Sequence, residues 1–205
     1  MKLSKFSGAA TLLALCSTLV TPSASRADAR SEMLTWIKDA EEKMVSLAEA
    51  TPEEKYAYRP TTEVRSAGEV FMHAAGANFG MPSFTGVKPP EGFKFETYEK
   101  SLTKKADIVA ALKSSYAHAE KALADLPEAD MNAPVDLFGM KSTKIGVYTL
   151  LLAHNHEHLG QSIAYARMNG IVPPWTAKQQ AAMKEMHEKE AAAKAAAAGK
   201  TADKK

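Results

Sequence analysis

Met33, Ile37, Ala40, Met44 and Leu47 follow one another at intervals of four, three, four and three, while Lys38, Asp39, Glu41, Glu42 and Lys43 fill the gaps between them. Only a helix of 3.6 residues per turn brings such a set onto one face. The same period returns at Ile108, Leu112, Ser115, Ala119, Leu123 and Leu126. Two more stretches carry helix punctuation. Ser66 followed three residues later by Glu69 forms a capping-box pair at the head of a helix bearing Val70, His73, Ala74 and Ala77 on one face. The stretch from about Ile145 to Met168 closes on Asn169-Gly170, with Pro173-Pro174 barring continuation. The third helix is expected over about 102–126, with Pro127 behind it. No segment alternates as a strand does, so the expected fold is all-α: a four-helix bundle with long connections at 81–101 and 127–143.

The ends of the chain differ in composition from this core. Basic MKLSK, the apolar run Gly8 to Val20 and the small residues Ser25 and Ala27 read as a signal peptide over 1–27, cleaved after Ala27. The run is shorter than the ~20 apolar residues a membrane span needs. The mature chain is therefore expected to be exported, periplasmic or secreted, without a membrane span. Cys16, the one cysteine, lies in this leader behind Leu15, where a lipidation site wants a small residue. Cleavage leaves no thiol for a disulfide, a nucleophile or a zinc site. Residues 28–175 form the expected domain, and 176–205 an Ala/Lys-rich tail expected to start helical and fray.

The formal net charge of +2 becomes −1 once Lys2, Lys5 and Arg26 leave with the leader, and the 28–175 core alone is about −4. Nucleic-acid binding loses its electrostatic footprint.

Chemistry concentrates in LLAHNHEHLGQ, residues 151–161. His154 and His158 are one turn apart and stack on one helical face, a spacing that lets two imidazoles reach one ion. His156 lies about 200° round the helix from His154 and faces solvent. A third ligand has to come from another helix. His73 sits on the apolar, small-residue face of the second helix, where a buried polar group needs a partner. A bundle without metal, in which these histidines bond to one another and to polar neighbours, satisfies the same pattern. His118 and His187 read as exposed. Asn155 follows His154, so the zinc-protease signature is absent, as are a Gly-rich phosphate loop and a nucleophile elbow.

Three stretches, YRPTTEVRSAGEVFMHAA, LFGMKSTKIGVYTLLLAH and HNHEHLGQSIAYARMNGIVPP, resemble in order those of the DinB/YfiT-like family of metalloenzymes. The likeness spans about 29–175. It implies a DinB-type four-helix bundle with a metal triad at His73, His154 and His158. The implied cofactor is a divalent metal, zinc or nickel, with water in an open coordination position. Leu159 departs from the Arg of many relatives, and His156 from their placing of an extra histidine directly before the last ligand.

The expected function is that of an exported metal-dependent enzyme of hydrolase or transferase type acting on a small molecule; the alternative is a non-catalytic metal- or ligand-binding envelope protein. Glu69, one turn before His73, is a candidate to orient that ring, or else serves only the Ser66 capping box. Gln161 and Tyr165 are candidate pocket residues. A homodimer is compatible with a bundle of this type.

Overall fold

The computed structural model describes residues 28–202, with side-chain exposure described for 28–194. The expected signal peptide and Cys16 lie outside the described residues. Four long helices make the body: α1 (Ala29–Ala50), α2 (Ala67–Gly80), and, after a one-turn helix α3 (Phe95–Tyr98), α4 (Lys105–Ala124) and α5 (Lys144–Met168). The strands β1 (Pro134–Leu137) and β2 (Met140–Thr143) separate α4 from α5, and α6 (Pro174–Ala202) follows. α1 and α2 each pack against both α4 and α5, so α1 lies diagonally across the bundle from α2.

The apolar spacings become this core directly. Ile37, Ala40, Met44 and Leu47 of α1 are fully buried, as are Leu112, Ala119 and Leu123 of α4. Each large aliphatic side chain so buried contributes roughly 1.5–3 kcal/mol over its exposed state. α2 is buried nearly all round, and its Ala74, Ala75 and Ala77 let α4 and α5 approach closely. Its first turn closes as the capping box expected, with Glu69 N–H donating to Ser66 Oγ at 3.2 Å and Ser66 N–H donating to Glu69 Oε2 at 2.8 Å. Among the described residues no helix is long and apolar enough to cross a membrane.

Three expectations need correction. The 127–143 connection is not wholly irregular: β1 and β2 pair antiparallel, Pro134 opposite Thr143 and Leu137 opposite Met140. Phe138 (φ 55°) and Gly139 (φ 82°) make the two-residue turn, with Gly139 N–H donating to Asp136 Oδ1 at 2.7 Å. Two successive positive φ values suit the right-handed twist of a hairpin, but Phe-Gly carries little of the usual Asn-Gly signal. In the 81–101 connection, Met81–Thr85 forms a 3-10 helix and α3 adds a turn. The tail is helical from Pro174 through the last described residue, Ala202, its exposed face laced by one-turn pairs such as Lys189–Glu185 at 2.6 Å. His118 is half-buried, its ring centroid 5.5 Å from that of Phe79.

Candidate metal centre

Two capped helices carry the three histidines. The box at Ser66 sets the start of α2 and puts His73 two turns inside it. Thr143 caps α5 by accepting from Gly146 N–H at 3.2 Å. A Cβ at Gly146 would collide with Ser142 Oγ, so glycine is what lets β2 run straight into the helix. His154 and His158 follow on the face of α5 that also buries Leu151, Asn155, Ser162 and Tyr165.

The α2–α5 contact brings the rings together. Ring centroids are 5.0 Å apart for His73 and His154, 4.6 Å for His73 and His158, and 4.4 Å for His154 and His158. One nitrogen from each histidine lies within 4.8 Å of the other two. His73 Nε2 and His154 Nε2 stand 3.1 Å apart. His158 is buried, and His73 and His154 are half-buried toward the opening. His156 is exposed, with Nδ1 3.0 Å from its own helix's Leu152 carbonyl, and takes no part.

The outer nitrogens are held by acceptors. His73 Nδ1 lies 3.0 Å from Glu99 Oε2, and the same oxygen lies 2.9 Å from Arg65 Nε. His158 Nδ1 lies 3.0 Å from Gln161 Oε1, and Gln161 Nε2 donates to the Tyr165 hydroxyl at 3.0 Å. An ionised carboxylate only accepts, so the Glu99 contact keeps the proton on His73 Nδ1 and leaves the Nε2 lone pair facing inward. Gln161, anchored by Tyr165, does the same for His158. His154 Nδ1 is buried without a hydrogen-bond partner.

Electrostatics favour neutral rings. Burial, then the neighbouring His158, His73 and Arg65, push His154 down to about 4. Burial first, then Arg65 and His158, hold His73 below the ordinary histidine value against the opposing pull of Glu99. Neutral imidazole is the ligating form. Three rings with converging nitrogens, two of them oriented through Nδ1, could hold a metal ion.

Glu69 stands elsewhere. Its carboxylate accepts from Ser66 N–H and from Arg59, at 2.7 and 2.9 Å, and the Arg59 hydrogen bond is the main reason it titrates below the usual carboxylate range. The carboxylate against His73 is Glu99, beyond α3 and 26 positions away, which sequence reasoning missed. Neither periodicity nor a motif links the two residues. A cleft of about 270 Å³ opens beside His73. A second, of about 410 Å³, shares Glu99 and Lys100 with it and has Glu69 on its wall.

Comparisons with known proteins agree with this architecture. A model described as the DinB superfamily matches residues 37–162. A DinB-like protein from Bacillus cereus aligns at 21% identity and a TM-score of 0.61, over 69% of this chain and 93% of that one. Another DinB-like protein, from Bacillus subtilis, aligns at 20% identity and 0.55 over 69% and 93%. A conserved protein from Enterococcus faecalis aligns at 14% identity and 0.58 over 69% and 97%. At these identities the likeness is one of fold. No curated protein sequence matches significantly. The matched region takes in α2 and α4, most of α1 and α5, and each of the three converging histidines, and on that match this chain belongs to the DinB superfamily.

Proposed function

We propose that the protein is an exported metal-dependent enzyme of hydrolase or transferase type, its divalent ion held by His73, His154 and His158. The observation that carries this reading is the convergence of three ring nitrogens, one from α2 and two from α5, while Glu99 and Gln161 hold the outer nitrogens of two of them. When bound, a divalent ion there supplies Lewis acidity, polarising an oxygen or sulfur donor or lowering the pKa of water toward about 7. The chain's own residues orient His73 and His158, and burial favours the neutral forms of His73 and His154. The cleft beside His73 supports catalysis over storage, because it lets a small molecule approach one of the three ligands. Export rests on the basic, apolar and small-residue order of residues 1–27.

The test is elemental analysis of the untagged mature chain after metal-replete purification. One equivalent of zinc or nickel is expected, lost in His73→Ala and in His158→Ala. A metal-free wild-type chain under those conditions sinks the reading. For export, the expected outcome is recovery of the chain outside the cytoplasm, shortened at Ala27; retention of residues 1–27 in the cytoplasm overturns it.

A further inference from the structure

The cleft beside His73 holds a cation whose terminal nitrogens the fold leaves unused. Arg65 immediately precedes the Ser66 cap, and its Nε faces Glu99 Oε2 at 2.9 Å. Nε is buried and lacks hydrogen-bond geometry even to that oxygen, and among the described residues neither terminal nitrogen makes a hydrogen bond and Lys100 makes no ion pair. A guanidinium offers donors along two edges, so the contact with Glu99 leaves the Nη1/Nη2 edge able to grip a carboxylate bidentately. Phe95 supplies an exposed apolar wall to the same cleft, with the buried Met72 and Gly76 behind it. Glu96 and Glu99 balance Arg65 and Lys100, leaving a local formal charge of zero before any ion is counted. A divalent cation on the adjoining histidines then makes the whole site cationic.

We infer that the substrate is a small carboxylic acid with an apolar body, its carboxylate gripped by Arg65 and its body lying against Phe95 beside the His73 ring. The inference deepens the metal-enzyme reading and rests on it for the second anchor. Arg65 is its own anchor and acts with or without metal. About 270 Å³ holds an acid the size of benzoate. A carboxylate is favoured over phosphate because a single planar fork meets it, without a cluster of backbone N–H donors.

The test is calorimetric titration of benzoate into the full mature chain, zinc-loaded and zinc-free, with benzyl alcohol and inorganic phosphate as comparison probes. Benzoate is expected to bind both forms at one site, more tightly with zinc. Arg65→Gln is expected to weaken it about tenfold or more, from loss of charge-assisted hydrogen bonds, while Arg65→Lys falls between. Benzyl alcohol and phosphate are expected to bind far more weakly than benzoate. Equal affinity in Arg65→Gln, equal binding of benzyl alcohol, tighter binding of phosphate, or no binding of benzoate overturns the inference. Zinc content, measured on the same samples, separates the two readings: failure to take up zinc sinks the metal site, while Arg65-dependent binding to the zinc-free chain leaves the inference standing. Methyl spectra of methionine in the wild-type chain need no variant that might unfold. Benzoate is expected to shift the Met72 methyl and to leave Met183 and Met186 of α6 unmoved; the reverse overturns the inference.

Discussion

Asn155 Nδ2 donates to Asn78 Oδ1 at 2.8 Å across the α2–α5 contact, and both side chains are fully buried. Tyr116 O–H donates to Asn155 Oδ1 at 3.1 Å, and Asn78 Nδ2 donates to Ser115 Oγ at 3.3 Å, so α4 joins the same network. Asn155 is adjacent to His154, and Asn78 lies five residues beyond His73. The pair therefore sets the register in which the α2 and α5 histidines meet.

Breaking that pair leaves a buried amide unsatisfied. Asn78→Ala is expected to destabilise the fold by about 1–3 kcal/mol, read as a lower denaturant midpoint. It should also weaken zinc binding, although Asn78 touches no histidine. Unchanged zinc affinity in a folded Asn78→Ala protein would show that the register is set by apolar packing alone.

The histidines sort by position. His73→Ala, His154→Ala and His158→Ala should each abolish stoichiometric zinc, and His156→Ala should keep it. In the wild-type chain chelation should lower the melting temperature, since a ligand bound only to the native state stabilises it by mass action. A melting temperature indifferent to chelator would mean that the three rings hold no metal.

Glu99 and Glu69 are predicted to separate function from stability. Glu99→Gln removes the obligate acceptor at His73 Nδ1 and should loosen the metal about 10–100-fold. Glu69→Ala breaks the capping box and the Arg59 contact, so it should cost about 0.5–2 kcal/mol of stability and leave metal affinity near wild type. Competition with a chromophoric chelator measures the first, and thermal melting the second.

Glu120 gives stability a pH dependence. Burial, then the neighbouring Glu41 carboxylate, push it up to about 7. A carboxyl whose pKa is higher folded than unfolded binds more protons in the native state, so stability falls as pH rises through the interval from the ordinary carboxylate value to about 7. In the metal-free chain the neutral His154 and His73 push the other way, so Glu120 is read as a difference: melting midpoints of Glu120→Gln should climb more steeply with pH across that interval than those of the wild type. An equal slope in the variant would assign the pH dependence to other groups.

Helix formation and capping are local, so much of the bundle was legible in the residues alone. A run such as Met33, Ile37, Ala40, Met44 and Leu47 needs nothing distant to define its apolar face, and Ser66 with Glu69 needs three intervening peptide units to define a helix start. The same locality placed His154 and His158 on one face and His156 on another. The hairpin was illegible because two four-residue strands joined by Phe-Gly carry too little alternation and the wrong turn residues.

By itself, then, the sequence determined four helices, the Ser66 cap of the second, and a pair of histidines aimed together. Tertiary structure decided which elements meet: His73 comes within 3.1 Å of His154 from 81 positions away, and Glu99 rather than Glu69 takes the outer nitrogen of His73. It also decided that Arg65 opens onto the same cleft. The physical reason is range. Backbone hydrogen bonding and side-chain periodicity act within a turn or two of helix, whereas these contacts follow from the packing of α2 against α5 and from a connection that folds α3 back over α2.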